Sequence, residues 1–278
     1  MNPLVLLSDF GLKEHFVATM KGVALTLNPE IQIYDLTHQI TPFNIWEASL
    51  TLYNTISYWP SSTVFVSVID PGVGTGRRSI VTHTKSGHYI VSPDNGTLTF
   101  IADWGGIEAV RLINETKHRR PGSKDSHTFY GRDLYVYTGV KLASGMITYK
   151  DVGPVYSGEI KKIDYQKAQW KKDIIHGTIM KIEKPFGNLV TNIPLELLMK
   201  IPELNYNTQL NVEIYEKSTL RYKDTLSYVK SFGFTDPLSP LIYIDSQGFI
   251  GIALNQGNFA EQYQIKSGSD WLITISMA

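Results

Sequence analysis

The sequence predicts an α/β protein: an N-terminal α/β domain with a mostly parallel central sheet, followed by a smaller C-terminal antiparallel, barrel-like β domain. Two patterns carry this expectation. Up to about residue 69, apolar strand-like runs alternate with segments of helical spacing, as βαβ units do. After about residue 156 that alternation stops, and short strand-like runs separated by turn residues take over. The 278-residue chain is 42% hydrophobic and has no cysteine, so its cores must hold without disulfide staples, which this length allows.

Residues 4–7, LVLL, form a buried strand ending at Ser8-Asp9-Phe10-Gly11. Residues 15–27 carry helical spacing, 31–37 (IQIYDLT) read as the second strand, and 44–60 as a helix stopped by Pro60. Residues 63–69 (TVFVSVI) give the third strand, and 79–84 and 88–93 two more joined by Lys85-Ser86-Gly87. A helix is expected over 133–145, ending at Gly145, although its glycine and β-branched positions suit a helix poorly. The first domain therefore spans 1–156. A polar, lysine-rich linker covers 157–171. The β domain covers 172–278, with strand runs at 174–183, 208–215, 241–254 and 271–276.

Composition removes several function classes. Lys+Arg and Asp+Glu both number 26, so there is no basic excess to attract nucleic acid. Without cysteine there is no thiolate metal site or cysteine nucleophile, and none of the seven histidines falls in an HExxH pair, so no metal is expected. No apolar run reaches membrane-span length and the N-terminus has no signal pattern; a cytoplasmic protein with no membrane partner is expected.

The segment SVIDPGVGTGRRSI, 67–80, ends a strand in an acid, a proline, three glycines and two arginines. Gly72, Gly74 and Gly76 do not make a dinucleotide loop, because residues 77–84 (RRSIVTHT) alternate like a strand and offer no helix N-terminus to a phosphate. Open α/β sheets bind ligands outside the carboxyl ends of their strands. Asp9 and Asp70 both stand there, with Asp35 and Asp94 at two further strand ends. Each of the four also suits a turn cap.

Seven stretches in order, LLSDFGLKEHFVATMKGV, IYDLTHQITPFNIWEA, VFVSVIDPGVGTGRR, SPDNGTLT, TFYGRDLY, EKPFGNLVTNI and DSQGFIGIALNQGNFAE, resemble the S-adenosylmethionine (SAM) hydroxide adenosyltransferases, relatives of the fluorinase and chlorinase enzymes. The resemblance covers nearly the whole chain. It implies hydrolysis of SAM to adenosine and methionine by attack of water or hydroxide at the ribose C5′, with no cofactor. It also implies a homotrimer whose sites lie between one subunit's N-terminal domain and its neighbour's C-terminal domain.

On that resemblance the catalytic residues are Asp70, Arg77 and Tyr130. The aspartate and the arginine seven residues later hold the attacking water, with the glycines turning the loop so that Arg77 returns over Asp70. Arg78 is the other candidate partner, and the bland alternative is an ion pair that merely braces the loop. Beside Arg⁺ an aspartate is a weaker base, so Asp70 is expected to orient water rather than to abstract a proton strongly. The fluorinase has a tyrosine at the Asp70 position and hydroxyl residues where this chain has Val73 and Gly131, which disfavours halide capture. Hydrolytic relatives read TFHGRD where this chain has Thr128-Phe129-Tyr130-Gly131-Arg132-Asp133, so Tyr130 replaces a histidine with a phenol, a poor base at neutral pH; His127 is a nearby alternative.

The implied substrate contacts are Asp9 on the ribose hydroxyls and Phe43 against the ribose, with Thr128 and Phe129 beside them. Phe186 and Asn188 belong to the adenine, Glu183 to the methionine ammonium, and Ser246 to its carboxylate, where Gln247 replaces the fluorinase's arginine. The backbone of Asn255 and Gln256 reads the adenine edge. Singly, each also fits as a core aromatic or a turn residue. Competing expectations are a non-catalytic adenosine or SAM binder, a halide-using transferase and a purely structural trimer.

Overall fold

The computed structural model describes residues 1–278 and divides them into two compact units, 1–163 and 164–278. The division falls inside 157–171, and Gln169–Lys171 form a strand of the second unit.

The first unit runs β1 (Leu4–Ser8), α1 (Phe16–Leu27), β2 (Ile33–Thr37), α2 (Ile45–Ile56), β3 (Val64–Val68), β4 (Ser79–Thr84), β5 (Tyr89–Pro93), β6 (Ile107–Leu112), a single turn α3 (Glu115–His118) and α4 (Tyr137–Ala143). Its sheet has the order β2-β1-β3-β5-β4-β6. The β1–β2, β1–β3 and β3–β5 pairings are parallel, and β4 pairs antiparallel with both β5 and β6. Strand β1 is wholly apolar up to Ser8 because both faces are covered. Leu4 and Leu6 join the cluster that holds Met20 of α1 and Val140 of α4, while Val5 and Leu7 join the one that holds Ala48 and Leu52 of α2.

Two helices differ from the sequence expectation. Helix α2 ends at Ile56, four residues before Pro60, and the interval is closed by turn bonds such as Tyr58 N–H to the Thr55 carbonyl. The expected 133–145 helix begins earlier, with a wide π-helical turn over Gly131–Val136, and its α-helical part stops at Ala143. The glycines that suited it poorly as a helix serve packing. A Cβ on Gly139 would stand 2.7 Å from Val66, and one on Gly131 3.0 Å from Val68, so their absence lets this segment lie directly on β3.

The second unit contains β7 (Gln169–Lys171), β8 (Ile174–Glu183), β9 (Asn188–Pro194), α5 (Leu195–Leu198), β10 (Gln209–Glu216), β11 (Thr219–Tyr228), β12 (Pro240–Ile244), β13 (Phe249–Leu254), α6 (Phe259–Gln262) and β14 (Trp271–Met277). The strands follow the order β14-β10-β11-β12-β13-β9-β8, and β14 also pairs with β8, so seven strands close into a barrel. Only β11–β12 is parallel among its pairings; β7 lies beside β8 outside the closed ring. Closure leaves no free edge among the seven and surrounds a core that includes Ile175, Ile179, Leu189, Leu210, Ile242 and Ile252. No helix in either unit is long and apolar enough to cross a membrane.

Candidate active site

The order of the first sheet creates a crevice. From β1 the chain passes through α1 to β2 on one side, then through α2 to β3 on the other side of β1. Such a reversal leaves space outside the carboxyl ends of the two central strands. Asp9 directly follows β1, and Asp70 stands two residues beyond the end of β3. Both line one cleft of about 270 Å³ together with Phe43, Thr128, Phe129 and Tyr130, with Val68, Val73 and Gly131 completing a largely apolar wall.

Arg77 stands outside this lining and is paired with Asp70. Arg77 Nε donates to Asp70 Oδ1 at 2.6 Å and Nη2 donates to Oδ2, a two-pronged grip. The two side chains are 4% and 5% exposed, so they are screened little and the charge of each depends on the other. Burial, the largest single influence, would lower the Arg77 pKa, but hydrogen bonding to Asp70 together with the charge interactions of Tyr135, Asp70 and Tyr130 holds the guanidinium above its usual value. Arg78 has a different partner, Asp94, at 2.9 Å. Asp94 also accepts the backbone N–H of Lys161; Asp35 lies inside β2 rather than at its end, bound to Lys21 and His38, so both acids serve local bracing. Of the three loop glycines, only Gly74 has a positive φ, 76°, and a Cβ there would meet the His127 carbonyl at 2.6 Å. His127 itself is exposed and presents its backbone to the glycine loop.

Phe43 is placed by its neighbours. Asn44 N–H donates to the Thr41 carbonyl, closing a turn with Pro42 at its second position and Phe43 at its third with φ 67°. Proline followed by a positive φ defines a type II turn, whose third position ordinarily takes glycine. Here it holds an aromatic ring that is 70% exposed, and the Phe43 N–H is fixed by Asp9 Oδ2 at 2.8 Å. Backbone strain of this kind concentrates at ligand sites.

Tyr130 is buried, and two guanidinium carbons approach its ring: Arg77 at 5.0 Å and Arg119 at 4.4 Å. Burial opposes the charge of Arg119, but its bonds to Glu115 and to the Tyr130 hydroxyl raise its pKa. Tyr135, Ser79 and Arg119 do not stand out in the sequence. Their signal there is weak, since a tyrosine in an apolar helix and a serine opening a strand look like ordinary core residues.

The other expected contacts lie in the second unit around a cleft of about 890 Å³. Glu183, Phe186, Asn188, Ser246, Asn255 and Gln256 all line it. The turn between β8 and β9 carries Phe186, 65% exposed, and places Glu183 opposite Asn188 in register, with Asn188 Nδ2 3.4 Å from Glu183 Oε2. Gly187, at φ 75°, lets this turn pass tightly over Asn258. Asn255 is buried, its side chain donates to the Thr235 carbonyl, and its own N–H and C=O bond Ser239 and Leu238. Gln256 follows with a positive φ of 56°. Ser246 is exposed at the tip of the β12–β13 turn, whose Asp245 carboxylate accepts the N–H groups of Gln247 and Phe249. Burial raises the Asp245 pKa against those two bonds, with Glu183 adding to the rise.

Two further groups on this wall carry no sequence signal. Lys230 is exposed there, and the Tyr243 hydroxyl is buried with no hydrogen-bond partner. An unmet buried hydroxyl costs about 1–3 kcal/mol, so it is available for a ligand to satisfy.

The whole chain has clear relatives. A protein named (R)-S-adenosyl-L-methionine hydrolase from Methanocaldococcus jannaschii is 35% identical over 258 residues, covering 90% of this chain and 87% of its own. A fluorinase from an Actinoplanes species is 28% identical over 300 residues, covering 98% of each. The crystal structure of an uncharacterized conserved protein from Thermotoga maritima superposes with a TM-score of 0.88 at 33% identity, across 98% of this chain and 99% of that one. Residues 4–153 match the SAM hydroxide adenosyltransferase N-terminal domain, and 177–272 match the C-terminal domain of the same family. With both domains matched in order around these two clefts, the chain belongs to the SAM hydroxide adenosyltransferase family of enzymes.

Proposed function

We propose that this enzyme hydrolyses S-adenosyl-L-methionine to adenosine and L-methionine. The oxygen of water bonds to the ribose C5′, the C5′–S bond breaks, and its electron pair leaves on sulfur as the neutral thioether of methionine; the surplus proton passes to solvent. The leaving group is already a sulfonium, so no cofactor is needed. What the reaction requires is a water molecule aligned opposite the C–S bond in a partly dry site. The observation that carries the reading is the Asp70–Arg77 pair, buried at the edge of the cleft that also holds Asp9.

In this reading Asp70 accepts a hydrogen bond from the attacking water, and Arg77 fixes the carboxylate in place. Tyr130 shapes the same wall with the Arg77 and Arg119 guanidinium groups set against its ring. Asp9 accepts the ribose hydroxyls with its remaining oxygen capacity, while Phe43, Thr128 and Phe129 pack on the sugar. In the second unit Phe186 and Asn188 take the adenine, with Asn255 and Gln256 beside them. Glu183 and Lys230 offer opposite charges on one cleft wall, which suits the ammonium and carboxylate of an amino-acid zwitterion, and Ser246 adds a hydroxyl for the carboxylate. The two clefts are completed in a homotrimer, the N-terminal unit of one subunit facing the C-terminal unit of its neighbour. The absence of cysteine asks for no oxidising compartment, consistent with a cytoplasmic setting.

The test is incubation with each sulfonium epimer of SAM separately, followed by chromatography. The expected result is adenosine and methionine in equal amounts, with the R epimer preferred in keeping with the relatives' names. Tight adenosine binding without turnover would leave a non-catalytic binder. A 5′-halo-adenosine formed in chloride or fluoride would make the enzyme a halide-using transferase, which Val73 and Gly131, with no side-chain donor, argue against.

A further inference from the structure

Behind Asp70 lies a closed ring of four polar groups. Arg77 Nη1 donates to Ser79 Oγ at 3.0 Å, Ser79 Oγ lies 3.3 Å from the Tyr135 hydroxyl, and that hydroxyl lies 3.4 Å from Asp70 Oδ2. Arg77 closes the ring through its two bonds to Asp70. Tyr135 is fully buried and Ser79 4% exposed, so solvent does not compete for these bonds.

The proton directions follow from chemistry. A carboxylate has no proton to give, so the Tyr135 hydroxyl must be the donor toward Asp70. Tyr135 can then only accept from Ser79, and Ser79 in turn accepts from Arg77. The three links from Arg77 through Ser79 and Tyr135 to Asp70 run in one direction, the arrangement in which successive hydrogen bonds reinforce one another, and Arg77 also donates directly to Asp70. Burial drives the Tyr135 pKa well above its usual value, with the Asp70 charge adding to the rise, so the phenol keeps its proton. Glu115 Oε1, 3.5 Å from Ser79 Oγ, is the more distant acceptor for the serine proton.

The two oxygens of Asp70 are consequently unlike. Oδ2 receives both Arg77 Nη2 and the Tyr135 hydroxyl, which fills its two lone-pair directions. Oδ1 receives only Arg77 Nε. We propose that Tyr135, backed by Ser79, is a positioning residue that occupies Asp70 Oδ2 and so assigns the attacking water to Oδ1. This rests on the hydrolase reading and names which atom of the site orients the nucleophile and what makes the choice.

Tyr135→Phe removes only the hydroxyl and keeps the packed ring; Ser79→Ala breaks the same ring one bond earlier. For each we expect kcat to fall about 10- to 100-fold, the range that a hydrogen bond to a charged group commands, with KM and adenosine affinity unchanged. The double variant should be no slower than the slower single one, because one broken link already opens the ring; a merely structural role would instead give additive losses that track the melting temperature. A crystal structure with adenosine supplies a readout independent of turnover. In the wild type an ordered water should lie about 2.6–3.2 Å from Oδ1 and not from Oδ2, and in Tyr135→Phe water should reach Oδ2. Water on Oδ2 in the wild type, or unchanged kcat in both single variants, overturns the assignment. A wild type that places water on Oδ1 yet forms no adenosine overturns the hydrolase reading and leaves the assignment standing.

Discussion

The two clefts of this chain are built on opposite plans. In the N-terminal unit the polar groups satisfy one another before any ligand arrives: Asp70 is gripped by Arg77, Arg77 reaches Ser79, and Asp9 is bonded to the Phe43 backbone. In the C-terminal unit the wall is left partly unmet, with the Tyr243 hydroxyl unpartnered, Asp245 and Glu183 repelling each other, and Lys230 exposed nearby. The first plan suits chemistry, which gains from dipoles fixed in advance. The second suits binding, where a ligand relieves unsatisfied groups. On the proposed function the first cleft should therefore govern kcat and the second KM, and substitutions can break that division.

The largest effect is expected at Asp70. Asp70→Asn retains the shape but loses the charge that orients water, and kcat should fall about 10²- to 10⁴-fold, the usual span for a group assisting proton movement, with adenosine binding retained. Asp70→Ala should do the same, and both variants should cost stability, about 3–5 kcal/mol for alanine and less for asparagine, because each leaves the buried Arg77 cation without its counter-charge. Turnover and calorimetric adenosine titration together check this. Unchanged turnover in Asp70→Asn removes Asp70 from the mechanism.

A smaller effect, of a different kind, is expected across the other cleft. Glu183→Gln and Lys230→Ala should each raise KM for SAM by up to about 5-fold with kcat unchanged, since an exposed or half-exposed ion pair is worth about 0.2–1 kcal/mol. Adenosine, which lacks the amino-acid part, should bind both variants as it binds the wild type. Steady-state kinetics with SAM beside adenosine titration separates these outcomes, and a fall in kcat alone would erase the distinction between the two clefts.

How much of this is legible in the sequence divides along the same line. Strand ends are legible, because apolar runs terminate visibly and βαβ alternation places their carboxyl ends together; this brings out Asp9 and Asp70. The choice of Arg77 over Arg78 stays open in the sequence, since neighbours on a strand point to opposite faces and nothing local shows which face holds the acid. Strands β6 and β11 escape notice: β11 (TLRYKDTLSY) is exposed along most of its length and carries charges, so it lacks the apolar period. Tyr135 and Ser79 are invisible for another reason. Their roles depend on partners far along the chain, 56 residues apart in the Ser79–Tyr135 bond, and no local pattern reports such a meeting.

The smallest expected effect tests whether the first cleft holds strain for function. Phe43 occupies the glycine position of a type II turn at φ 67° while burying little of its ring. Phe43→Gly should relieve about 1–2 kcal/mol of backbone strain, less about 0.5–1 kcal/mol for the greater freedom of glycine in the unfolded chain, a net gain between zero and about 1.5 kcal/mol. A rise in melting temperature of up to roughly 6 °C is the measurable form of that gain. The same change removes the aromatic face proposed for the ribose, so adenosine affinity should weaken several-fold while the Asp9 bond to the backbone N–H persists. Stability and affinity moving in opposite directions would mark Phe43 as a residue kept in an unfavourable turn for its ligand. If both fell together, the ring would instead be packing the loop, and the contrast between a preset cleft and an unmet one would lose its clearest strained element.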